Sequence, residues 1–151
     1  MSGRWFEDWQ VGAAIEHPIR RTVTETDNLL VSALTHNPQP LHLDAEYASA
    51  TEFGRIVVNS TFTFALMIGV SVQDTTFGTL VANLGYDKVR TPAPVFVGDT
   101  LRCRTQVQAL RPSGSRPNAG IVTFAHTMLN QRDEVVCECL RVALVLRRPV
   151  S

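Results

Sequence analysis

The chain has 151 residues, 44% of them hydrophobic and 19% charged, with a formal net charge of zero. That length and balance fit one globular domain with a substantial core, spanning residues 1–151, and no linker-like stretch argues for two. The neutral total removes the global field on which binding to nucleic acid or to an anionic membrane depends. Residues 1–10 are polar and aromatic without a signal-peptide core, so a cytoplasmic location is expected. A first strand carrying His17 leads into "TVTETDNLLVSALT". There Thr24 is an N-cap candidate, Glu25 and Asp27 fall in the first turn, and Leu29, Leu30, Ala33 and Leu34 recur at helical spacing. A helix over 25–35 follows. Pro38 and Pro40 then break residues 35–44 into a loop, because each removes a backbone donor and disfavours helix at the residue before it. A short helix is expected at 45–50.

In "VVNSTFTFALMIGVSV", Asn59 or Ser60 caps an almost uniformly apolar helix ending near residue 72. A helix apolar on all sides is expected to be buried on all sides. Its apolar run, 62–72, is too short to span a bilayer. The period then changes: "GTLVANLGY", "DTLRCRTQVQALR", "AGIVTFAHTMLNQ" and "EVVCECLRVALVLRR" read as strands, with hairpin turns at "PSGSRPN" and "RDE". A strand, a helical block and a run of antiparallel strands give an α+β protein. The architecture this order draws is a hot-dog fold, a long central hydrophobic helix wrapped by a curved antiparallel sheet. A single sheet has open edges and one uncovered face, so a homodimer or a higher homo-oligomer of dimers is expected. Cys103, Cys137 and Cys139 lack zinc-ligand spacing and read as buried reduced thiols. Thirteen of the fourteen basic residues are arginine, which suits phosphate or carboxylate ligands but equally reflects biased codon usage.

The chemistry-bearing stretch is "HNPQPLHLD" at 36–44. His42 is the side chain best suited to exchange a proton near neutral pH, and the Asn37 amide can both donate to and accept from water. The prolines between them stiffen the loop and limit the entropy lost in holding both groups together. A hydrogen-bonded structural histidine remains the alternative for His42. His36 is expected to be exposed. None of the four histidines has ligand-like partners, so no metal is expected.

Four stretches, "FEDWQVG", "NPQPLHLDAEYA", "EFGRIVVNSTF" and "PAPVFVGDTL", make the chain resemble the MaoC-like family of acyl-CoA hydratases and dehydratases, including the R-specific enoyl-CoA hydratases. The resemblance implies a hot-dog fold, dimerisation and an acyl-CoA thioester substrate, with coenzyme A entering as part of the substrate and no separate cofactor. The catalytic pattern of the R-specific hydratases, Asp-x-Asn-Pro-x-His, places its histidine on His42, its proline on Pro40, its asparagine on Gln39 and its aspartate on Asn37. An amide cannot act as a general base, so the Asp-His division of labour does not transfer intact. A narrower resemblance, carried by "TETDNLLVSALTHNPQPLHLD", "TEFGRIVVNS" and "SRPNAGIV", is to the branch acting on branched C5 dicarboxylyl-CoA esters such as mesaconyl-CoA, methylmalyl-CoA or itaconyl-CoA. Members of that branch can carry asparagine at this place.

The resulting expectation is a hydro-lyase in which His42 transfers the proton and Asn37 holds the water or hydroxyl in line. Gln39 belongs to the same loop. Backbone N–H groups near Asn59, Ser60 and Thr61, at the amino end of the central helix, are the expected donors to the thioester oxygen. Where the family often has a His-Gly pair, this chain has Asn59-Ser60. Arg55 is the expected partner of a free substrate carboxylate, ahead of Arg90 and Arg116. Two other readings stand beside this one: a hot-dog thioesterase using Asp44 or Glu52, and a non-catalytic partner subunit of a hydratase.

Overall fold

The computed structural model describes residues 3–150; Met1, Ser2 and Ser151, the ends of the expected 1–151 domain, lie outside it. After a 3-10 turn at Phe6–Asp8 come β1 (Ala14–Thr22), α1 (Glu25–Leu34), α2 (Pro40–Leu43), α3 (Ala45–Ser49), α4 (Ser60–Thr75), β2 (Leu80–Arg90), β3 (Thr100–Pro112), β4 (Ala119–Leu129) and β5 (Val135–Leu146). The strands form one antiparallel sheet in the order β1-β3-β4-β5-β2, which leaves β1 and β2 at its edges. α4 packs across this sheet, and the arrangement is the expected α+β hot-dog. No helix among the described residues is long and apolar enough to cross a membrane.

α1 starts where its caps dictate. The Thr24 hydroxyl accepts from the Asp27 N–H at 3.2 Å, and the Asp27 carboxylate accepts from the Thr24 N–H at 2.8 Å, a reciprocal capping box. Arg21 donates to both Asp27 oxygens at 2.7 Å. That fork, with the two cap bonds, draws the Asp27 carboxyl from an ordinary 3.8 down to about 2. A carboxyl depressed in the folded state stabilises above its unfolded value, and that contribution is lost as pH falls towards the folded one. Carboxyl NMR is therefore expected to titrate Asp27 near pH 2, moving up towards 3.8 in Arg21→Ala; an unchanged midpoint in that variant would remove the ion pair as the cause.

The polarity of α1 is the reverse of the expected one. Leu29, Leu30 and Leu34 are exposed, Leu34 by 73%, whereas the buried residues are Asn28 and Ser32. The helical period was read correctly, but its inward face is used for hydrogen bonding. The helix ends on His36, which adopts a left-handed φ of 53°. The His36 N–H reaches the Ala33 carbonyl at 3.2 Å and the Asn37 N–H reaches that of Ser32 at 2.9 Å, so His36 fills the stop position that glycine usually takes.

Two further expectations change. The 35–44 loop is interrupted by α2, because Pro40 sits at the first helical position, where no N–H is required. α4 runs to Thr75 and is not buried all round. Thr63, Met67, Val70, Ser71 and Thr75 face inwards, while Thr61, Ala65, Gly69 and Gln73 form an exposed stripe. One sheet can cover only one side of a helix.

The core beneath α4 joins Met67 and Val70 to Val23, Leu101, Met128 and Val136, with all three cysteines among them. Burial pushes the Cys103 and Cys139 thiols up to about 12 and Cys137 to about 11, so the nucleophilic thiolate is suppressed. An aromatic disulfide reagent is expected to label none of them in the native state and all three after denaturation; fast native labelling would contradict this burial. A second cluster packs Trp9 and Phe6 onto Val107, Val122 and Phe124. Phe6 lies against the bare backbone of Gly120, where any Cβ would collide with its ring.

A polar seam crosses the same interface. His17 Nδ1 meets Asp74 of α4 at 2.8 Å, and the Thr105 hydroxyl bridges His17 Nε2 and His126 Nδ1 at 2.7 Å each. Burial, with Arg141 nearby, lowers His126 to about 3 and keeps it neutral. Arg141, 0% exposed, donates to Asn83 Oδ1 at 2.7 Å and Thr76 Oγ1 at 2.9 Å. These groups tie α4 to the sheet.

Candidate active site

α2 carries His42 to the wall of a cleft of about 320 Å³, which it shares with Phe53, Ser60 and the segment 91–95. The position of each wall follows from local bonds. Gly98, with φ of 96°, makes the turn before β3, and its N–H donates to the Val23 carbonyl at 2.8 Å. The Val58 N–H donates to the Val95 carbonyl at 2.8 Å, fastening the 91–95 segment to the chain just ahead of α4.

His42 Nδ1 lies 2.6 Å from the Val57 carbonyl. A carbonyl only accepts, so Nδ1 carries the proton and the neutral ring presents its lone pair at Nε2. Nε2 makes no hydrogen bond among the described residues. That is the state in which an imidazole can take a proton from water.

At the amino end of α4, two of the three expected backbone donors are already engaged. The Asn59 N–H donates to Asn28 Oδ1 at 2.9 Å, and the Thr61 N–H donates to Asn59 Oδ1 at 3.0 Å. Among the described residues the Ser60 N–H makes no hydrogen bond, as the first turn of a helix leaves it, and Ser60 lines the cleft. Asn59 is buried as the N-cap, and the Thr61 hydroxyl donates to the same Asn59 oxygen at 2.7 Å.

His42 and Ser60 are thus brought together, but the other expected residues do not line this cleft in the single chain. Asn37 is half-buried, and its Oδ1 accepts from the Gln39 N–H at 3.0 Å in a turn, while its amide N–H groups make no hydrogen bond among the described residues. Gln39 is exposed. Arg55 is exposed too, its guanidinium stacked 3.7 Å from the centre of the Phe96 ring. Asp44 caps α3 by accepting from the Tyr47 N–H at 2.9 Å, and Glu52 is exposed; neither borders the cleft. Sequence reasoning missed Phe53 and the 91–95 wall as site components, and missed Asn28 and Ser32. The last two were detectable as polar residues one turn apart on a helix otherwise read by its leucines.

Residues 8–128 match the family described as MaoC like domain. The chain is 35% identical over 150 residues to the mesaconyl-CoA hydratase of Cereibacter sphaeroides, covering 99% of this chain and 43% of that protein. It is 34% identical over 146 residues to the beta-methylmalyl-CoA dehydratase of Chloroflexus aurantiacus, covering 97% and 41%. The chain therefore spans less than half the length of these two relatives. Among solved structures, a MaoC-like dehydratase from Rhodospirillum rubrum superimposes with a TM-score of 0.84 at 33% identity, over 98% of this chain and 100% of that one. With the family pattern covering most of the sequence and the hot-dog architecture in place, this chain belongs to the MaoC-like hydratase and dehydratase family.

Proposed function

We propose that this protein adds or removes water across the double bond of an enoyl-CoA thioester, acting as a hydro-lyase through one MaoC-like domain. The observation that carries the reading is that one cleft is lined by both His42 and Ser60, whose Nε2 and backbone N–H respectively make no hydrogen bond among the described residues. In the hydration direction, His42 Nε2 takes a proton from water as the water oxygen bonds to the β-carbon. The double-bond electrons move towards the thioester, whose carbonyl oxygen gains charge. The Ser60 N–H, at the positive end of α4, stabilises that oxygen, and a proton then returns to the α-carbon. Asn37 stands off this cleft in the single chain, and its amide N–H groups, unengaged among the described residues, are proposed to orient the water where bound substrate extends to its loop.

The substrate we favour is a branched C5 dicarboxylyl-CoA such as mesaconyl-CoA, methylmalyl-CoA or itaconyl-CoA. The names of the two half-matched relatives support this choice, and Arg55 is the cation proposed for the free carboxylate. Gln39, Asn59 and Thr61 shape the loop and the helix end around it. A homodimer is proposed from the open edge β2, which exposes Leu80, Val81, Leu84, Tyr86 and Val89, and from the exposed leucines of α1. The thioesterase reading is weaker because the 36–44 loop resembles the hydratases better and Asp44 is engaged as the cap of α3.

The test is mass spectrometry of the purified protein with mesaconyl-CoA, itaconyl-CoA and crotonyl-CoA, alongside its mass in solution. A water adduct with one of the first two is the expected result. Release of free CoA without an adduct would establish a thioesterase instead, and no change in any substrate would favour the non-catalytic partner.

A further inference from the structure

We infer that Asn28 is a positioning residue that fixes His42 against the amino end of α4, an inference resting on the proposed role of His42. Asn28 is 1% exposed, on the inward face of α1. Its Nδ2 donates to the His42 carbonyl at 2.8 Å, and its Oδ1 accepts from the Asn59 N–H at 2.9 Å. One neighbour can only accept and the other can only donate, so the orientation of the amide is unique.

These bonds close a ring of contacts. From Asn28 the path runs to the His42 carbonyl, through the imidazole to the Val57 carbonyl at 2.6 Å, along the chain to Asn59, and back to Asn28. His42 is thereby held at its main-chain carbonyl by Asn28 and at its ring by the Val57 carbonyl, and Asn28 is itself bonded to Asn59, two residues beyond Val57. One turn on, Ser32 Oγ accepts from Asn59 Nδ2 at 3.2 Å, so α1 steadies the helix cap twice. The paradox of α1, polar inside and apolar outside, follows from this use: its inner face sets the spacing between proton carrier and oxygen donor.

Asn28→Asp separates the two bonds. The carboxylate still accepts from the Asn59 N–H, but it faces the His42 carbonyl with an oxygen, and the two repel. Misplacement of a reacting group by about 1 Å can cost on the order of a hundredfold, so kcat is expected to fall at least tenfold, with KM for the thioester changing less than about threefold. A residue acting through His42 has no further effect once His42 is gone, so Asn28→Asp is expected to leave the residual rate of His42→Ala unchanged.

Nitrogen NMR of the His42 ring gives a readout independent of turnover. Wild type is expected to show the Nδ1-protonated tautomer alone, and Asn28→Asp a mixture of both. Should the aspartate variant not fold, Asn28→Ala, which removes both bonds, is read by the same ring spectrum. An unchanged ring tautomer, or an equal loss of rate with and without His42, would reduce Asn28 to a structural residue and overturn the inference. If wild type turns over none of the thioesters, the hydratase reading fails while the ring spectrum still decides whether Asn28 positions His42.

Discussion

Replacing His42 with alanine is expected to lower kcat for water addition by about a hundredfold or more, the range a positioned acid–base group contributes. The substitution removes Nε2, the proposed proton acceptor, whose ring partner Nδ1 is held by the Val57 carbonyl. The Ser60 N–H and the cleft walls remain, so KM and the residual rate from binding and oxyanion stabilisation are expected to survive. Folding should be little changed, because His42 is half-buried on a four-residue helix and the freed Val57 carbonyl can turn to water. Turnover measured with a hydratable enoyl-CoA, beside circular dichroism of the variant, separates these effects. Wild-type kcat in the variant would place the chemistry elsewhere.

Phe124→Ala is expected to reduce folding stability by about 3–5 kcal/mol, the cost of truncating a fully buried aromatic ring. For a domain of this size each kcal/mol moves Tm by about 2–4 °C, so a fall of roughly 6–20 °C should follow. Phe124 is 0% exposed at the middle of β4. Trp9 meets it edge-on with ring centroids 5.0 Å apart, and His126 stacks on it at 5.8 Å. The Arg141 guanidinium lies 5.7 Å from its centre. Truncation therefore opens a cavity, frees the amino-terminal turn, and strips cover from a buried cation that cannot reach water. Urea unfolding followed by tryptophan fluorescence measures the loss. A change below about 1 kcal/mol would mean that neighbouring side chains collapse into the gap.

Much of this was legible before any coordinates. The N-cap at Thr24, the turn residues of "PSGSRPN", and the change from helical to alternating period place the elements, because each is a local effect whose partners lie within a few residues. His42 stood out because an imidazole can both accept and donate a proton and its loop is stiffened by two prolines. The inner face of α1 was not legible. Hydrophobic spacing pointed to Leu29, Leu30 and Leu34, while the partners of Asn28 lie 14 and 31 residues further along the chain. No local rule connects residues at that separation.

The sequence by itself determined the order of the strands and of the helices other than α2, the α+β class and the buried thiols, since periodicity, capping and side-chain chemistry operate at short range. Only the tertiary structure decided which backbone N–H at the helix start stays unengaged and which His42 nitrogen carries the proton. It also decided that Arg55 lies on Phe96 rather than on the cleft wall. Those outcomes depend on donors and acceptors brought together by the packing of α1, α2 and the 91–95 segment around the amino end of α4. A hydrogen bond has one geometry and one partner, and neither can be assigned until the chain has folded.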